Sequence, residues 1–238
     1  MNFAGEDKET YVRKTFDAIA EKYDFINSIM SFGLDNRWRR LTVKQVEAGP
    51  GMHILDVCCG TGQLSQQLGK AVGREGAVTG LDFSENMLGI AELSLRRTAN
   101  PGNNRFILGN ALELPFPDQS FDGATVGWGL RNLPDLRRGI CEMVRVVKPG
   151  GRVVSLDMAK PTLPVYKEAY WLYFEKIVPV LGKIWTRKAS AYRYFYESAC
   201  EFPPQAELAG IFAECGLRET SYRNLVGGAV AIVSGTKP

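Results

Sequence analysis

A glycine-rich turn and a following carboxylate are the residues of this chain best suited to chemistry. Residues 55–62 have the sequence LDVCCGTG, and residues 80–83 have the sequence GLDF. Gly60 and Gly62 allow a tight turn from a buried strand into a helix. Asp82, at the end of the next predicted strand, is placed to accept hydrogen bonds from two ribose hydroxyls. Together the two segments predict a site that holds a nucleotide-shaped ligand at both ends.

The residues after the glycine turn indicate which ligand this is. A dinucleotide fingerprint has a third small residue where Ser65 stands, and a P-loop needs a lysine that this stretch lacks. S-adenosylmethionine has no phosphate and needs only close backbone approach. The turn therefore favours S-adenosylmethionine over a dinucleotide or a purely structural turn. The motifs assign these residues to its site: Asp56, Gly60, Gly62, Asp82, Phe83 and Met87.

The chain has 238 residues, of which 45% are hydrophobic and 23% are charged. This length and composition suffice for one hydrophobic core, so we expect a single catalytic domain over residues 1–238. The net charge of +3 is too small to indicate a nucleic-acid partner. We interpret the basic cluster Arg37–Arg40 as a solvated helix face with one buried tryptophan. Residues 1–7 lack the pattern of a signal peptide, and the chain has no apolar run long enough to span a bilayer, so we expect a cytoplasmic protein.

Histidine and cysteine usage argues against several kinds of chemistry. The single histidine, His53, precedes the first strand, away from the edge where ligands bind, so neither histidine-based triads nor two-histidine metal sites are expected. The five cysteines are an odd number without C-x-x-C spacing, so we expect neither a disulfide framework nor a metal site. The reaction must then use an activated reagent, such as a sulfonium methyl donor, for which the protein aligns the nucleophile.

Alternating apolar segments and helical patterns predict an α/β fold with a doubly wound, mostly parallel seven-stranded sheet. Helices are expected over 63–72, 85–97 and 135–146, with Ser84 as an N-cap. Lys148–Gly151 predicts a stop and turn, and Val226–Gly228 predicts an antiparallel hairpin that ends the sheet. The expected strands are 54–57, 77–82, 105–108, 122–127, 151–158, 218–225 and 229–235.

Two helical segments lie outside this alternation. An N-terminal cap over 8–45 carries Val12, Phe16, Ile19, Ala20 and Tyr23 at helical spacing. A helical insertion over 161–195 is rich in aromatic and aliphatic residues: Tyr166, Tyr170, Trp171, Tyr173, Phe174, Ile177, Leu181 and Trp185. These segments either pack on the sheet or form a lid over an apolar substrate.

Several motifs along almost the whole chain resemble those of the menaquinone and ubiquinone biosynthesis C-methyltransferases. The resemblance implies methyl transfer from S-adenosylmethionine to a ring carbon of a polyprenyl quinol, either demethylmenaquinol or a benzoquinol. A methyltransferase for another phenolic substrate or RNA, and a cofactor-binding protein without catalysis, are the alternatives. The motifs are YDFIN at 23–27, SFG at 31–33, WRR at 38–40, NA at 110–111, LPFP at 114–117, GLRN at 129–132, Ser190 with YRY at 192–194, and NLVGG at 224–228.

The resemblance also implies individual site residues and partners. Thr61, Asp82, Asn110 and Ala111 stand at the cofactor positions of the family. Gly127 stands where the family commonly has serine, so only a backbone contact is expected there. The resemblance implies a lipophilic quinol as the partner, and we expect peripheral contact at the inner face of the membrane and no nucleic-acid partner. A homodimer is compatible with the sequence.

The GLRN motif supplies the expected catalytic residues, Arg131 and Asn132. Methylation of a quinol ring carbon requires electron density from a hydroxyl oxygen, and Arg131 can stabilise the oxyanion that forms. We prefer this role to that of a water-mediated base, because guanidinium stays protonated in proteins. The alternative is that Arg131 only pairs with a carboxylate such as Asp135. Tyr23 and Tyr194 either bind the quinol or are core residues.

Overall fold

A computed structural model describes residues 6–98, 103–161, 164–177 and 189–238. Leu181 and Trp185 of the predicted insertion lie outside the described residues, as do the side chains of Phe174 and Ile177. Seven strands form one sheet in the order β3-β2-β1-β4-β5-β7-β6. The strands are β1 His53–Val57, β2 Ala77–Asp82, β3 Asn104–Leu108, β4 Phe121–Gly127, β5 Val147–Met158, β6 Arg218–Leu225 and β7 Val230–Thr236.

The first five strands run parallel, and β7 is antiparallel to both β5 and β6. This confirms the doubly wound sheet with an antiparallel end. The central strands are mostly buried and rich in apolar residues because both sheet faces are covered. Along β1, Ile54 contributes to the core on one face, whereas Leu55 and Val57 contribute to the core on the other. The ends of β1, β2 and β4 therefore meet at one edge, where ligands bind in such sheets.

Eight α-helices are present in the described part of the chain. Helix α1 packs with α4 and α7 in an apolar cluster of its own, built on Val12, Phe16 and Ile19 from α1. The helices are α1 Lys8–Met30, α2 Asp35–Gln45, α3 Gln63–Val72, α4 Glu85–Arg96, α5 Leu136–Val146, α6 Pro164–Leu172, α7 Ala189–Glu201 and α8 Gln205–Glu214. A 3-10 turn covers Leu130–Asn132, and a π-helical turn covers Tyr173–Ile177.

The predicted elements agree with the structure except at some boundaries. Residues 63–72 and 77–82 match α3 and β2 end to end, and Ser84 accepts the Met87 N–H as the predicted cap. Strand β5 begins four residues earlier than predicted, since Val147 already pairs with Phe121 across a register shift. The stretch Lys148–Gly151 is thus an irregularity inside the strand and not a separate turn.

Two sequence-based expectations are wrong. Cys141 of α5 and Cys215, which follows α8, form a disulfide with their Cα atoms 5.0 Å apart. The two helices pack side by side on one sheet face, and 74 residues separate the cysteines, so no spacing motif reveals the pair. Arg39 of the basic cluster is buried and pairs with Asp35, whereas Arg37 and Arg40 are exposed as expected.

Candidate active site

The turn after β1 has a conformation that suits glycine. Gly60 and Gly62 have φ angles of 54° and 76°, in the left-handed region that side chains disfavour. A Cβ on Gly62 would lie 2.8 Å from the Phe106 ring, whereas one on Gly60 would meet no atom within 4 Å. Gly62 therefore allows β3 to pack against the turn, and Gly60 leaves open space beside the backbone.

Asp82 closes the turn from the end of β2. Its Oδ2 accepts a hydrogen bond from the Gly60 N–H at 2.8 Å, and its Oδ1 accepts one from the Ser84 N–H at 3.0 Å. Burial raises the pKa of Asp82 to about 6, against the opposing effect of these backbone bonds. The carboxylate is therefore ionised at pH 7. Each oxygen keeps a further acceptor position, which suits the two hydroxyls of a ribose.

Asp56 lies below the turn. Its carboxylate accepts hydrogen bonds from Ser65 Oγ at 2.6 Å and from Thr125 Oγ1 at 2.9 Å, so it ties β1 to α3 and β4. Burial raises the pKa of Asp56 to about 6, although both hydroxyls lower it. The residue has no exposed surface and does not line the pocket described below. We therefore assign Asp56 to stabilisation of the turn and not to direct contact with a ligand.

Helix α1 is held over the turn by polar contacts. Asp24 accepts hydrogen bonds from Thr61 Oγ1 at 2.7 Å and from Gln63 Nε2 at 3.0 Å. Ser84 Oγ donates to Asp17 at 2.5 Å. The Thr61 side chain, predicted to contact the cofactor, is thus bound to α1 and is absent from the pocket lining. Sequence reasoning missed Asp17 and Asp24 because both contacts join residues distant in the chain.

A pocket opens between α1 and the carboxyl ends of the strands, with an empty volume of about 710 Å³ that includes space open to solvent. We call it the cofactor pocket. Eight of the predicted cofactor and catalytic residues line it: Gly60, Asp82, Phe83, Met87, Asn110, Ala111, Gly127 and Asn132. Asp56, Thr61 and Gly62 do not. Cys58 also lines it, as expected for a small residue beside the cofactor, whereas sequence reasoning missed Gly129, which lines it, and Val12 and Phe16 of α1, which close it.

The pocket residues fit S-adenosylmethionine. Asp82 would supply the acceptors for the ribose, and the apolar side chains of Phe83, Met87 and Ala111 suit the flat adenine ring. A side chain at Gly60 would occupy the open space beside the turn, so the glycine permits close approach of the ligand to the backbone. Gly127 and Gly129 lie across the pocket at the end of β4. The residue types and their placement therefore match the predicted cofactor.

Arg131 is buried in an ion pair. Its Nη1 donates to Asp157 at 2.5 Å and to the Trp128 carbonyl at 2.9 Å. The partner is Asp157 of β5 and not Asp135, which caps α5. Burial acts to lower the pKa of Arg131, but the interactions with Asp157, Tyr23 and Tyr194 together outweigh it and the pKa is raised. The buried Nε has no hydrogen-bond partner among the described residues. Arg131 is thus a fixed cation that keeps an unpaired Nε–H donor.

The neighbouring Asn132 is held in place from α7. Tyr194 donates its hydroxyl to Asn132 Oδ1 at 3.0 Å, and Asn132 Nδ2 donates to the Trp128 carbonyl at 3.0 Å. Tyr194 is buried and lines neither the cofactor pocket nor the second cavity described below, which favours the interpretation of this residue as a core tyrosine. Lys8 at the start of α1 donates to the carbonyls of Arg131 and Leu133 at 3.2 and 2.6 Å. The GLRN turn is therefore fixed from both helical segments.

A second cavity, which we call the aromatic cavity, adjoins the cofactor pocket. It has an empty volume of about 1120 Å³, including the space at its opening. Tyr23 and Trp128 line both spaces, so the two share a wall. Arg131 lines the aromatic cavity. Burial raises the pKa of Tyr23, against the charges of Arg131 and Arg39, so its phenol is neutral. The other aromatic residues of the lining are Phe32, Trp38, Tyr166, Tyr170, Tyr173 and Phe195.

The sheet order and the cofactor pocket define an S-adenosylmethionine-dependent methyltransferase. A family model described as the ubiE/COQ5 methyltransferase family matches residues 4–237, and the chain belongs to this family. It is 61% identical over 238 residues to a protein of Desulfitobacterium hafniense named demethylmenaquinone methyltransferase. That match covers 100% of this chain and 94% of the relative.

Solved structures share the fold at low identity. A methyltransferase from Aquifex aeolicus, described as SAM-dependent, superposes with a TM-score of 0.63 at 20% identity, covering 84% of this chain and 89% of that one. The [4+2]-cyclase SpnF gives a TM-score of 0.66 at 18% identity, covering 97% and 96% of the two chains. Proteins with this fold are thus described with different reactions, and the acceptor must be argued from the site.

Proposed function

We propose that this protein transfers a methyl group to a ring carbon of a polyprenyl hydroquinone, with demethylmenaquinol as the substrate. The observation that carries the proposal is the position of Arg131, a cation on the wall of an aromatic cavity that adjoins the cofactor pocket. An aromatic ring with an ionisable hydroxyl matches both features. The name of the relative from Desulfitobacterium hafniense favours the naphthoquinol over a benzoquinol.

The bound S-adenosylmethionine supplies an electrophilic methyl group on a sulfonium ion. Arg131 stabilises the hydroxyl oxygen as it loses its proton, so that electron density moves to the adjacent ring carbon. That carbon would take the methyl group while the S–C electron pair stays on sulfur. The hydroxyl proton and the ring proton would both pass to solvent, and the oxygen would then regain one proton, so that one proton is released overall. Because the pKa of Arg131 is raised, the residue stabilises charge and does not act as a base.

Asn132 and Tyr23 position the reacting groups. Asn132 lines the cofactor pocket beside Arg131 and is fixed by Tyr194. Tyr23 lines both spaces and is a neutral phenol, so it donates a hydrogen bond to the ring oxygen. These contacts align the ring for in-line attack.

The proposal is tested with purified protein, S-adenosylmethionine and a short-tailed demethylmenaquinol kept reduced under argon. We expect a product carrying one new methyl group on a ring carbon, identified by mass and proton NMR, and slower turnover of the corresponding benzoquinol. An O-methyl ether as the product would favour the alternative, a methyltransferase for phenolic hydroxyls. Absence of any methylated product would contradict both.

We further propose that the protein contacts the membrane at the opening of the aromatic cavity. Phe32 and Val226 line this cavity and are 81% and 45% exposed, as expected for side chains that enter a lipid surface. None of the helices in the described ranges could span a bilayer. Liposomes should speed turnover of a long-tailed quinol, and Phe32→Ser should reduce that gain. Leu93→Ser, on an exposed leucine of α4 outside the cavity, is the matched control; equal effects would contradict the assignment.

A further inference from the structure

Two buried arginine–aspartate ion pairs border the aromatic cavity, and each presents a different member to it. Arg131 lines the cavity, whereas its partner Asp157 does not. Asp35 lines the cavity, whereas its partner Arg39, 2.6 Å away, does not. The cavity therefore has a guanidinium on one wall and a carboxylate on another. Asp35 is the only acidic residue of this lining in the ranges that the structure describes.

Stabilisation of helix α2 does not explain why Asp35 is buried. An acidic residue in the first turn of α2 also stabilises that helix when it is exposed. Here the side chains of Asp35 and Arg39 are each only 6% exposed, and burying such a pair carries a desolvation cost. The Asp35 oxygens accept one bond from Arg39 and one from Ser31 Oγ at 3.2 Å. A carboxylate has about four acceptor positions, so acceptor capacity remains.

We propose that Asp35 makes the aromatic cavity select the reduced, hydroquinone form of the ring. This inference rests on the proposed function and adds a specificity-determining residue to it. A carboxylate can only accept hydrogen bonds, and the carbonyl oxygens of a quinone also only accept. A hydroquinone hydroxyl can donate to Asp35, whereas a quinone carbonyl leaves the carboxylate without a donor and repels it. Loss of a hydrogen bond in a buried site strongly disfavours a ligand.

The other polar groups of the cavity do not distinguish the two forms. Asn27, Ser31 and the tyrosine phenols can each donate or accept. Arg131 donates to a hydroxyl oxygen and to a carbonyl oxygen alike. Selection for the reduced ring therefore falls to Asp35. Selection of the reduced ring favours the reaction, because only the electron-rich hydroquinone attacks a methyl donor and a bound quinone would block the site.

The test compares two probes, 1,4-naphthoquinol and 1,4-naphthoquinone, by anaerobic equilibrium dialysis in the presence of S-adenosylhomocysteine. The wild-type protein should bind the quinol at least tenfold more tightly than the quinone. Asp35→Asn should bring this ratio close to one, because an amide can donate to a carbonyl. Asp35→Asn leaves Arg39 unpaired, so Asp35→Asn with Arg39→Met removes both charges and should give the same ratio. Ser31→Ala keeps the carboxylate and should keep the preference.

A third probe makes the test independent of variant folding. 1,4-Dimethoxynaphthalene has the same ring without hydroxyl hydrogens and should bind the wild-type protein at least tenfold more weakly than the quinol. Equal binding of all three probes, or a preference for the quinol that survives in folded Asp35 variants, would overturn the inference. Wild-type protein that binds none of them would instead contradict the proposed function.

Discussion

The cofactor pocket and the aromatic cavity share a wall but are built in different ways. The cofactor pocket lies at the ends of adjacent parallel strands, and the Gly60 N–H donates to the Asp82 carboxylate. The aromatic cavity is assembled from side chains of segments as distant as Tyr23 and Val230. The turn proposed to hold the general cofactor is local, whereas the cavity proposed for the particular acceptor is enclosed by long-range packing.

The charged groups of the two regions are also stabilised differently, by backbone groups in one and by partner side chains in the other. Asp82 has its charge stabilised by backbone N–H groups, which the fold supplies wherever this turn forms. In the aromatic cavity the charges of Asp35 and Arg131 are balanced by one partner side chain each. A single substitution there leaves a buried charge unpaired, so we expect larger effects in the aromatic cavity than in the cofactor pocket.

The largest expected effect is that of Arg131→Met. By analogy with the loss of one oxyanion donor, the single-turnover rate should fall about a hundredfold to a thousandfold. Affinity for S-adenosylmethionine should change little, because Arg131 does not line the cofactor pocket. Arg131→Lys should restore part of the rate, since an ammonium keeps the charge without the planar fork. Near wild-type rates in both variants would remove Arg131 from the mechanism.

A control separates chemistry from folding in this variant. Arg131→Met leaves Asp157 buried and unpaired, which costs about 3–5 kcal/mol of stability. The double variant Arg131→Met with Asp157→Asn removes that charge. It should regain thermal stability but not activity, as measured by calorimetry and by the same single-turnover assay. Recovery of activity together with stability would show that the ion pair is only structural.

The second prediction contrasts the two buried aspartates of the cofactor region. Asp82→Asn should weaken S-adenosylmethionine binding about tenfold to a hundredfold, through the loss of one charge-assisted hydrogen bond to the ribose. Asp56→Asn is the matched control, because Asp56 is also buried but lies outside the pocket lining. Titration calorimetry measures both. Equal losses of affinity would mean that the ribose is not held by Asp82 directly.

The third prediction uses the two glycines of the turn. Alanine at either position adopts a left-handed conformation at a cost of about 1–2 kcal/mol. Gly62→Ala also meets Phe106, which adds about 1–3 kcal/mol from overpacking. Gly62→Ala should therefore lose more stability, and Gly60→Ala more cofactor affinity.

Denaturant unfolding and calorimetry measure these losses. The control is Gly89→Ala in α4, where no neighbour lies within 4 Å and the backbone is helical. It should be neutral or slightly stabilising. The reverse order for Gly60→Ala and Gly62→Ala would contradict the assigned roles.

The smallest expected effect is a pH dependence in the cofactor pocket. Burial raises the pKa of Asp82 to about 6, and in the proposed site the ionised form binds the ribose. Cofactor affinity should therefore fall by about tenfold at pH 5 relative to neutral pH, because only about a tenth of the carboxylate is then ionised. In the same calorimetric titration, the cofactor affinity of Asp82→Asn should depend less on pH. The same pH profile in the variant and the wild-type protein would contradict the assignment to Asp82.

The same raised pKa values act on stability with the opposite sign. The folded chain holds protons on Asp56 and Asp82 up to about pH 6, whereas the unfolded chain releases them near pH 4. The free energy of unfolding should therefore decrease as pH rises from about 4 to 6. Asp56→Asn should flatten this slope in denaturant titrations across pH, and a slope that persists unchanged would assign it to other groups.

Local motifs made most of the sheet predictable. The alternation of apolar runs and helical patterns predicts α3 and β2 to the residue, and the Val226–Gly228 signal correctly places the antiparallel hairpin between β6 and β7. These features depend on neighbouring residues and on backbone geometry. The start of β5 was missed because Val147 is held there by pairing with Phe121, a partner from another strand.

The site shows the same division. The glycine turn and Asp82 were predictable because their types and spacing suffice for their geometry. The partner of Arg131 was not, since Asp135 is near in sequence whereas Asp157 is near in space. The Cys141–Cys215 disulfide and the contact of Thr61 with Asp24 also join distant residues.

The sequence by itself determined the fold class, the cofactor turn and the presence of Arg131 and Asn132, because each depends on residue types at short spacing. Only the tertiary structure decided that Thr61 binds α1, that Asp56 lies below the pocket and that Asp35 and Arg131 border one cavity. The physical reason is that a cavity and its ion pairs arise from packing between segments. Which member of a pair lines the cavity depends on the positions of whole helices and strands.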